Sequence, residues 1–342
     1  MTVERFSDPA VLRASASYGS FLHFLESREH AGFFQSPSFM EVVKPVPGFA
    51  PVLFLAHDSS GQVTGSLLGA YQQEGNGVKG WLSRRMLVQG GPLGDPTAAD
   101  ALISALLADA KGKAIFVEFR NSFDTTGLRP VFERKGFRYT PHLNFLLPVG
   151  SENEALQRLS TARRRGLKTT LAAGASWGPA ANGDEVREFY RILHGLYRSK
   201  VRKPLPPLEL FLQLHAHPDG RLFVVRHEGR VIGGCAAPVY RDRMIHYWYV
   251  CGDNSAKGIQ ASVLATWASI AHAAQQGIGT LDFMGAGKPG QGYGVHEFKA
   301  RFGGIEVEHG RYETVLEPAL YRMGAAGLKV YQHIRPLFHK DR

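Results

Sequence analysis

Few side chains in this sequence are spaced to do chemistry together, and most of the candidates are cations. Lys299 follows Phe298 in the segment Phe298-Lys299-Ala300-Arg301-Phe302-Gly303. Acyl transfer passes through a tetrahedral oxyanion, and a fixed ammonium beside it lowers that barrier. The same lysine could instead grip phosphates of a donor, or be an exposed helix lysine beside a core phenylalanine. His296 stands just before it and is the one histidine worth following, with a structural role as the simpler reading. Arg163, Arg164, Arg165 and Lys168 form one basic cluster, and Arg198, Lys200, Arg202 and Lys203 form another. The first could neutralise nucleic-acid phosphates and release counterions, or be the solvated face of a linking helix.

Other chemistries lack their residues. There is no His-Glu-x-x-His and no P-loop. The glycines from Gly285 through Gly287, Gly290, Gly292 and Gly294 are not spaced as a dinucleotide fingerprint, and a loop flanking a reaction centre is the better reading. Two cysteines, Cys235 and Cys251, cannot build a zinc site or a disulfide framework; both sit in apolar, strand-like surroundings and read as core. No metal and no resident cofactor is expected.

The elements that must position these residues are legible from length and pattern. With 342 residues, 44% of them hydrophobic, the chain has the length of about two domains. Its formal charge of +10 attracts polyanions such as nucleic acid, a nucleotide diphosphate or an acidic membrane surface. No run of apolar residues is long enough to span a membrane, and the N-terminus lacks the apolar core of a secretory signal. A reducing, cytoplasmic location is expected.

The most informative feature is an internal repeat. Leu53–Ala56, a polar turn and Gly61–Gly65 are echoed by Leu222–Val225, a turn and Gly229–Gly233, each reading as strand, hairpin, strand. The helix Ala98–Ala110 precedes the apolar segment Ile115–Phe119, as the helix Ala261–Gln276 precedes Leu281–Phe283. Phe132–Gly136 and Phe298–Gly303 follow in turn. Two copies of one mixed α/β domain explain this order better than a solenoid. Ser38 with Glu41 has capping-box spacing after Pro37. Asp184 is placed to cap a helix with Val186, Phe189, Tyr190 and Leu193 on its apolar face, and Gly277 to end the Ala261–Gln276 helix. Ala155–Ala173 reads as one helix joining the halves, Pro204, Pro206 and Pro207 as a loop, and Pro318–His333 as a terminal helix.

The order of motifs resembles the FemABX family, the non-ribosomal peptidyl transferases that build peptidoglycan cross-bridges. Phe34-Gln35-Ser36-Pro37-Ser38-Phe39 through Lys44 resembles the family's N-terminal helix, and Gln89-Gly90-Gly91-Pro92-Leu93 its Gly-Pro turn. Leu281-Asp282-Phe283-Met284-Gly285 resembles the strand end before its glycines, and Phe298-Lys299 its Phe-Lys motif. The resemblance covers nearly the whole chain.

It implies an α/β (α+β) fold of two tandem GNAT-like domains, at 1–150 on the acceptor side and 151–315 on the donor side. A C-terminal helix, 316–342, packs back on the first. It also implies an aminoacyl transferase, with aminoacyl-tRNA as donor partner and a UDP- or lipid-linked muropeptide amine as acceptor. Phe298 and Lys299 carry over as catalytic. Lys44, Arg84, Arg85, Arg202, Lys203, Tyr247 and Tyr249 carry over as substrate-binding, although Lys203-Pro204-Leu205 departs from the family's pattern there. Each of these cations is also explained as solvated surface charge, and each tyrosine as a half-buried strand residue. The acetyl-CoA loop of GNAT enzymes is only hinted at by Lys257-Gly258 within Asn254–Ala261. A CoA-dependent N-acyltransferase acting on a cell-envelope sugar or amine, and a non-catalytic nucleotide- or RNA-binding protein, stand as alternatives.

Overall fold

The segment Phe49–His57 is buried without alternation from Pro51 onward, the pattern of a strand covered on both faces. It is the second strand of a seven-stranded sheet in the computed structural model, which describes every residue except 202, 254, 256, 257, 292, 293, 325 and 327–342. The chain divides into two compact units, Met1–Thr140 with Gly310–Arg342, and Pro141–His309.

In the first unit the strands are β1 (Thr2–Phe6), β2 (Phe49–His57), β3 (Val63–Gln72), β4 (Arg85–Gly90), β5 (Phe116–Asn121), β6 (Arg138–Thr140) and β16 (Arg311–Val315). They lie in the order β1-β2-β3-β4-β5-β16-β6. Only β4 and β5 run parallel. A parallel pair needs a crossover, supplied by α5 (Pro96–Ala110), which starts on Asp95 as N-cap with Pro96 in its first turn. Val52, Phe54, Ala56 and Leu67 of the sheet meet Leu102, Ile103 and Leu106 of α5. The approach is close: a Cβ on Gly65 would stand 2.8 Å from the Ala98 Cβ, so this strand position admits little but glycine. Short helices complete the unit: α1 (Pro9–Ala14), α2 (Ser17–Glu26), α3 (Pro37–Val43), α4 (Gly77–Ser83) and α6 (Arg129–Arg134). The cap of α3 is Ser36, not Ser38, because Pro37 takes the first helical position.

The second unit has two sheets. One joins β8 (Ser176–Pro179), β9 (Leu222–His227), β10 (Arg230–Ala236) and β13 (Tyr249–Gly252) in the order β13-β10-β9-β8. The other joins β7 (Leu143–Pro148), β11 (Val239–Tyr240), β12 (Met244–His246), β14 (Thr280–Gly287) and β15 (Ile305–Glu308) in the order β11-β12-β14-β7-β15. The helices are α7 (Glu152–Arg158), α8 (Thr161–Ala172), α9 (Gly183–Leu196), α10 (Leu208–Ala216), α11 (Ala261–Gln275) and α12 (Gly294–Ala300). Almost all of α11 is buried, so its alanines and its Thr266 and Ser269 are packing positions. Gly277 follows it in the left-handed region at φ 67°, as its place after the helix requires. The expected single helix 155–173 is broken at Leu159–Ser160, where the Ser160 hydroxyl caps α8. The cap of α9 is Asn182, whose side chain accepts from the backbone of Asp184 and Glu185; Asp184 lies inside the helix.

The boundaries differ from those expected at 150 and 315 for a reason visible in the ladders. In the first unit the slot between β5 and β6 is filled by β16, which follows the whole second unit in sequence. In the second unit the corresponding slot between β14 and β15 is filled by β7, which precedes the rest of that unit. Each copy therefore takes its inserted strand from across the midpoint of the chain. Of the expected terminal helix, the described part begins at Pro318. There Tyr321 sets its ring on Phe116, centroids 5.5 Å apart, and donates its hydroxyl to Glu313. The remainder lies outside the described residues.

The inserted strand is tested through Tyr312, which is 1% exposed on β16 and stacks on Phe132 with centroids 3.9 Å apart. Tyr312→Ala should cost about 3–5 kcal/mol, measured by urea denaturation. A loss under about 1 kcal/mol would show that β16 is dispensable to the first unit.

Candidate active site

The second unit contains a fork. The chain passes from Met244 to Gly252 through two short strands and changes partner on the way. Its first half, β12, pairs in parallel with β14 in the register Met244↔Thr280, Ile245↔Leu281, His246↔Asp282. The Tyr247 N–H still reaches the Asp282 carbonyl at 2.8 Å. Its second half, β13, pairs instead with β10 of the other sheet. Beyond Tyr247 no ladder joins β13 to β14 among the described residues. A gap edged by backbone groups in this way accepts an extended, amide-bearing guest.

At the fork β14 is irregular. Its register with β7 slips twice, between Asp282 and Gly285 and again between Gly285 and Gly287. Met284 takes a left-handed conformation at φ 57°, uncommon for a residue with a side chain. Across the slips Lys299 collects three successive carbonyls. Its Nζ donates to the oxygens of Phe283 at 2.6 Å, Gly285 at 2.9 Å and Met284 at 3.4 Å. Asp282, 1% exposed, accepts from the Met284 N–H at 2.6 Å and from Asn144 Nδ2 at 2.7 Å. His246 Nδ1 lies 3.4 Å from its second oxygen.

The electrostatics follow from burial. Desolvation brings the Lys299 ammonium down to about 8, while the Asp282 carboxylate pulls the other way. At neutral pH the group is still charged. Burial alone would raise the Asp282 carboxyl, but His246, Asn144 and the Met284 N–H outweigh it and hold it below the usual range. Burial pushes the Cys235 and Cys251 thiols up, which suits core residues and not nucleophiles. Among the described residues no group of His, Cys, Asp or Glu side chains is arranged to hold a metal ion.

This geometry revises the expected roles. Lys299 does stand at the fork, but an ammonium has three protons and here three carbonyls receive them. It shapes the strand end, and a free donor for an oxyanion is not what the geometry presents. Phe298 is half-buried and carries the Arg163 guanidinium 4.3 Å above its ring. Tyr247 is 3% exposed and its hydroxyl pairs with Thr266 at 2.7 Å, so it faces the core and not a substrate. Tyr249 is half-buried among Phe211, Trp248 and Tyr197. In the basic helix α8, Arg163 is committed to aromatic rings and the exposed Arg164 to the carbonyls of Gln157 and Leu159, while Arg165 and Lys168 are also exposed.

The remaining candidates belong to the first unit or to a loop. Lys44 donates to the Ser7 carbonyl at 3.0 Å and pairs with Asp8 at 3.3 Å. Arg84 donates to the carbonyls of Trp81 and Gly112. Arg85, which opens β4, pairs with Glu74 at 2.7 Å. All three are engaged with their own surroundings. Lys203 is exposed in the loop before α10, and Arg202 lies outside the described residues. Sequence reading passed over His246 and Asn144 as partners of Asp282; the one available signal was a carboxylate inside an apolar strand. It also left His296 without its partner Glu306, which lies ten positions on and meets it only through the fold.

Residues 155–300 match the family model of the acetyltransferase (GNAT) domain. No curated protein matches the chain. Among solved structures the chain is similar to FemX, with TM-score 0.67 and 14% identity over 94% of this chain and 99% of that one. It is similar to the tandem GNAT protein of the clavulanic acid biosynthesis pathway, with TM-score 0.56 and 12% identity over 92% and 99%. L-PGS from Bacillus licheniformis gives TM-score 0.55 and 17% identity over 91% and 96%. At such identities the likeness is one of fold, and at that level the expected resemblance holds.

Lys299→Met should destabilise the protein by about 1–3 kcal/mol, because the buried Phe283 carbonyl is left without its donor. The pH dependence has a definite sign. Lys299 titrates near 8 when folded and near its ordinary 10.5 when unfolded, so between those values the unfolded chain binds more protons. Stability rises with pH under that condition. Wild type should therefore gain on Lys299→Met as pH rises from 8 to 10.5, with no change below 8, in urea titrations at each pH. A difference that falls across this window would contradict the buried ammonium.

Proposed function

From a chain with a GNAT-type domain and the fold of FemX, we propose an acyltransferase that moves an aminoacyl group from aminoacyl-tRNA to an amine of a UDP- or lipid-linked muropeptide. The fork between β13 and β14 carries this reading. An acyl donor laid along the gap would place its carbonyl beside the strand end that Lys299 and Asp282 hold in shape, where a fixed backbone costs no reorganisation during reaction. The gap opens at the carboxyl end of β14, the end at which ligands collect in sheets with parallel strands.

A tRNA donor is supported by the order of motifs that resembles the FemABX family and by the chain's excess of positive charge. Arg165 and Lys168 on α8 are exposed and could contact phosphates. The work of such a transferase belongs to the cytoplasm, and among the described residues no helix is long and apolar enough to cross a membrane. One observation favours the CoA-dependent reading. The buried helix α11 opens shortly after β13 with no side-chain cap on its first turn, and uncapped backbone N–H groups at a helix start suit a pyrophosphate.

The two donors differ in how they respond to salt. Each phosphate neutralised in single-stranded nucleic acid adds about 0.7 to the slope of log affinity against log salt. Filter retention of charged tRNA should therefore weaken steeply between low and moderate salt. Transfer of the labelled amino acid to UDP-linked muropeptide should fall with it. Salt-insensitive calorimetric binding of CoA, with no tRNA retained, would overturn the tRNA donor and promote the CoA reading.

A further inference from the structure

A cavity of about 550 Å³ in the second unit lies away from the core of the fork and is lined by Leu143, Pro289, His296, Glu306 and Glu308 among others. We propose that it is the acceptor subsite, and that His296, ordered by Glu306, takes the proton released by the attacking amine. The inference rests on the transferase reading above and deepens it.

Position comes first. Gly287 at the end of β14 pairs with Leu143, and Leu143 pairs with Glu308. The cavity is therefore level with the carboxyl end of β14, on the side of that strand held by β7 and β15 and across it from the gap left by β13. Its size is that of a small-molecule site.

Chemistry comes second. His296 Nε2 hydrogen-bonds the Glu306 carboxylate. A carboxylate can only accept, so it selects the tautomer with the proton on Nε2 and leaves the lone pair on Nδ1. The His296 ring also packs on Phe145, centroids 5.1 Å apart. Its helix α12 is anchored one turn later, where Lys299 is buried against β14. The imidazole is thus oriented by a carboxylate, seated on a ring and carried by a pinned helix, the arrangement expected of a general base. Glu306 and Glu308 give the cavity carboxylates in a chain of net charge +10, which favours an amine over an anion there.

The step balances without a co-reactant. The amine nitrogen forms a C–N bond to the acyl carbon and loses a proton to Nδ1 of His296. The tetrahedral intermediate then breaks the C–O bond of the donor ester, and the imidazolium returns that proton to the departing oxygen.

The subsite is tested on the wild-type protein by histidine side-chain NMR, titrating L-lysine amide with acetate as control. The His296 ring signals should move with the amine and not with acetate. No movement at millimolar amine overturns the subsite whether or not the donor has been identified correctly. The proton role is tested by His296→Gln, which should lower kcat for amine transfer at least tenfold and leave donor KM unchanged, with Glu306→Gln falling less. Transfer within twofold of wild type in His296→Gln overturns that role. Both side chains are partly exposed, 31% and 46%, so both variants should keep the wild-type melting temperature. Wild-type protein that transfers from no donor would sink the transferase reading, while the NMR titration still decides the subsite.

Discussion

The second unit depends on a buried ammonium. A strand that slips in its ladder in the middle of a sheet leaves carbonyls in need of donors, and an unpaired buried carbonyl such as that of Phe283 is costly. Lys299 solves this by bringing three N–H bonds to three successive carbonyls across the slipped register of β14. The charge is tolerated because Asp282 is close enough to oppose the cost of desolvation. Asp282 is itself held by Asn144 on β7 and by the Met284 N–H. Removing any member leaves another buried polar group exposed to the same penalty, which makes the cluster cooperative.

That cluster ties the fork to the strand that arrives from across the midpoint of the chain. Asn144 lies on β7, the strand that opens the second unit. The shape of the fork thus depends on a residue that the repeat in sequence would assign to the other copy. The first unit has the mirror arrangement, with Tyr312 of β16 stacked on Phe132. In each unit the inserted strand supplies a side chain to the interior.

Much of this was legible. The repeat, the hairpins, α5, α11 and the mixed α/β class follow from periodicity and turn residues, because those signals are local and strong. Helix starts were placed within a few residues, and the errors at Ser36 and Asn182 have one cause. Several polar residues near each start could cap it, and only backbone conformation decides which one does. Phe298-Lys299 stood out in sequence as a pair to follow, but whether the ammonium faces a substrate or the chain's own carbonyls depends on slips in register that no local pattern signals.

The sequence by itself determined that there are two copies of an α/β domain, where their strands and helices run, and that cations dominate the polar candidates. It could do so because strand alternation, helical period and turn glycines act over a few residues. Only the tertiary structure decided which strand fills each inserted slot, that Lys299 is buried against β14, and that His246, Asn144 and Asp282 meet. Those are pairings between distant segments, set by ladder register and by the need to satisfy every buried polar group, and neither constraint can be evaluated until the chain has closed on itself.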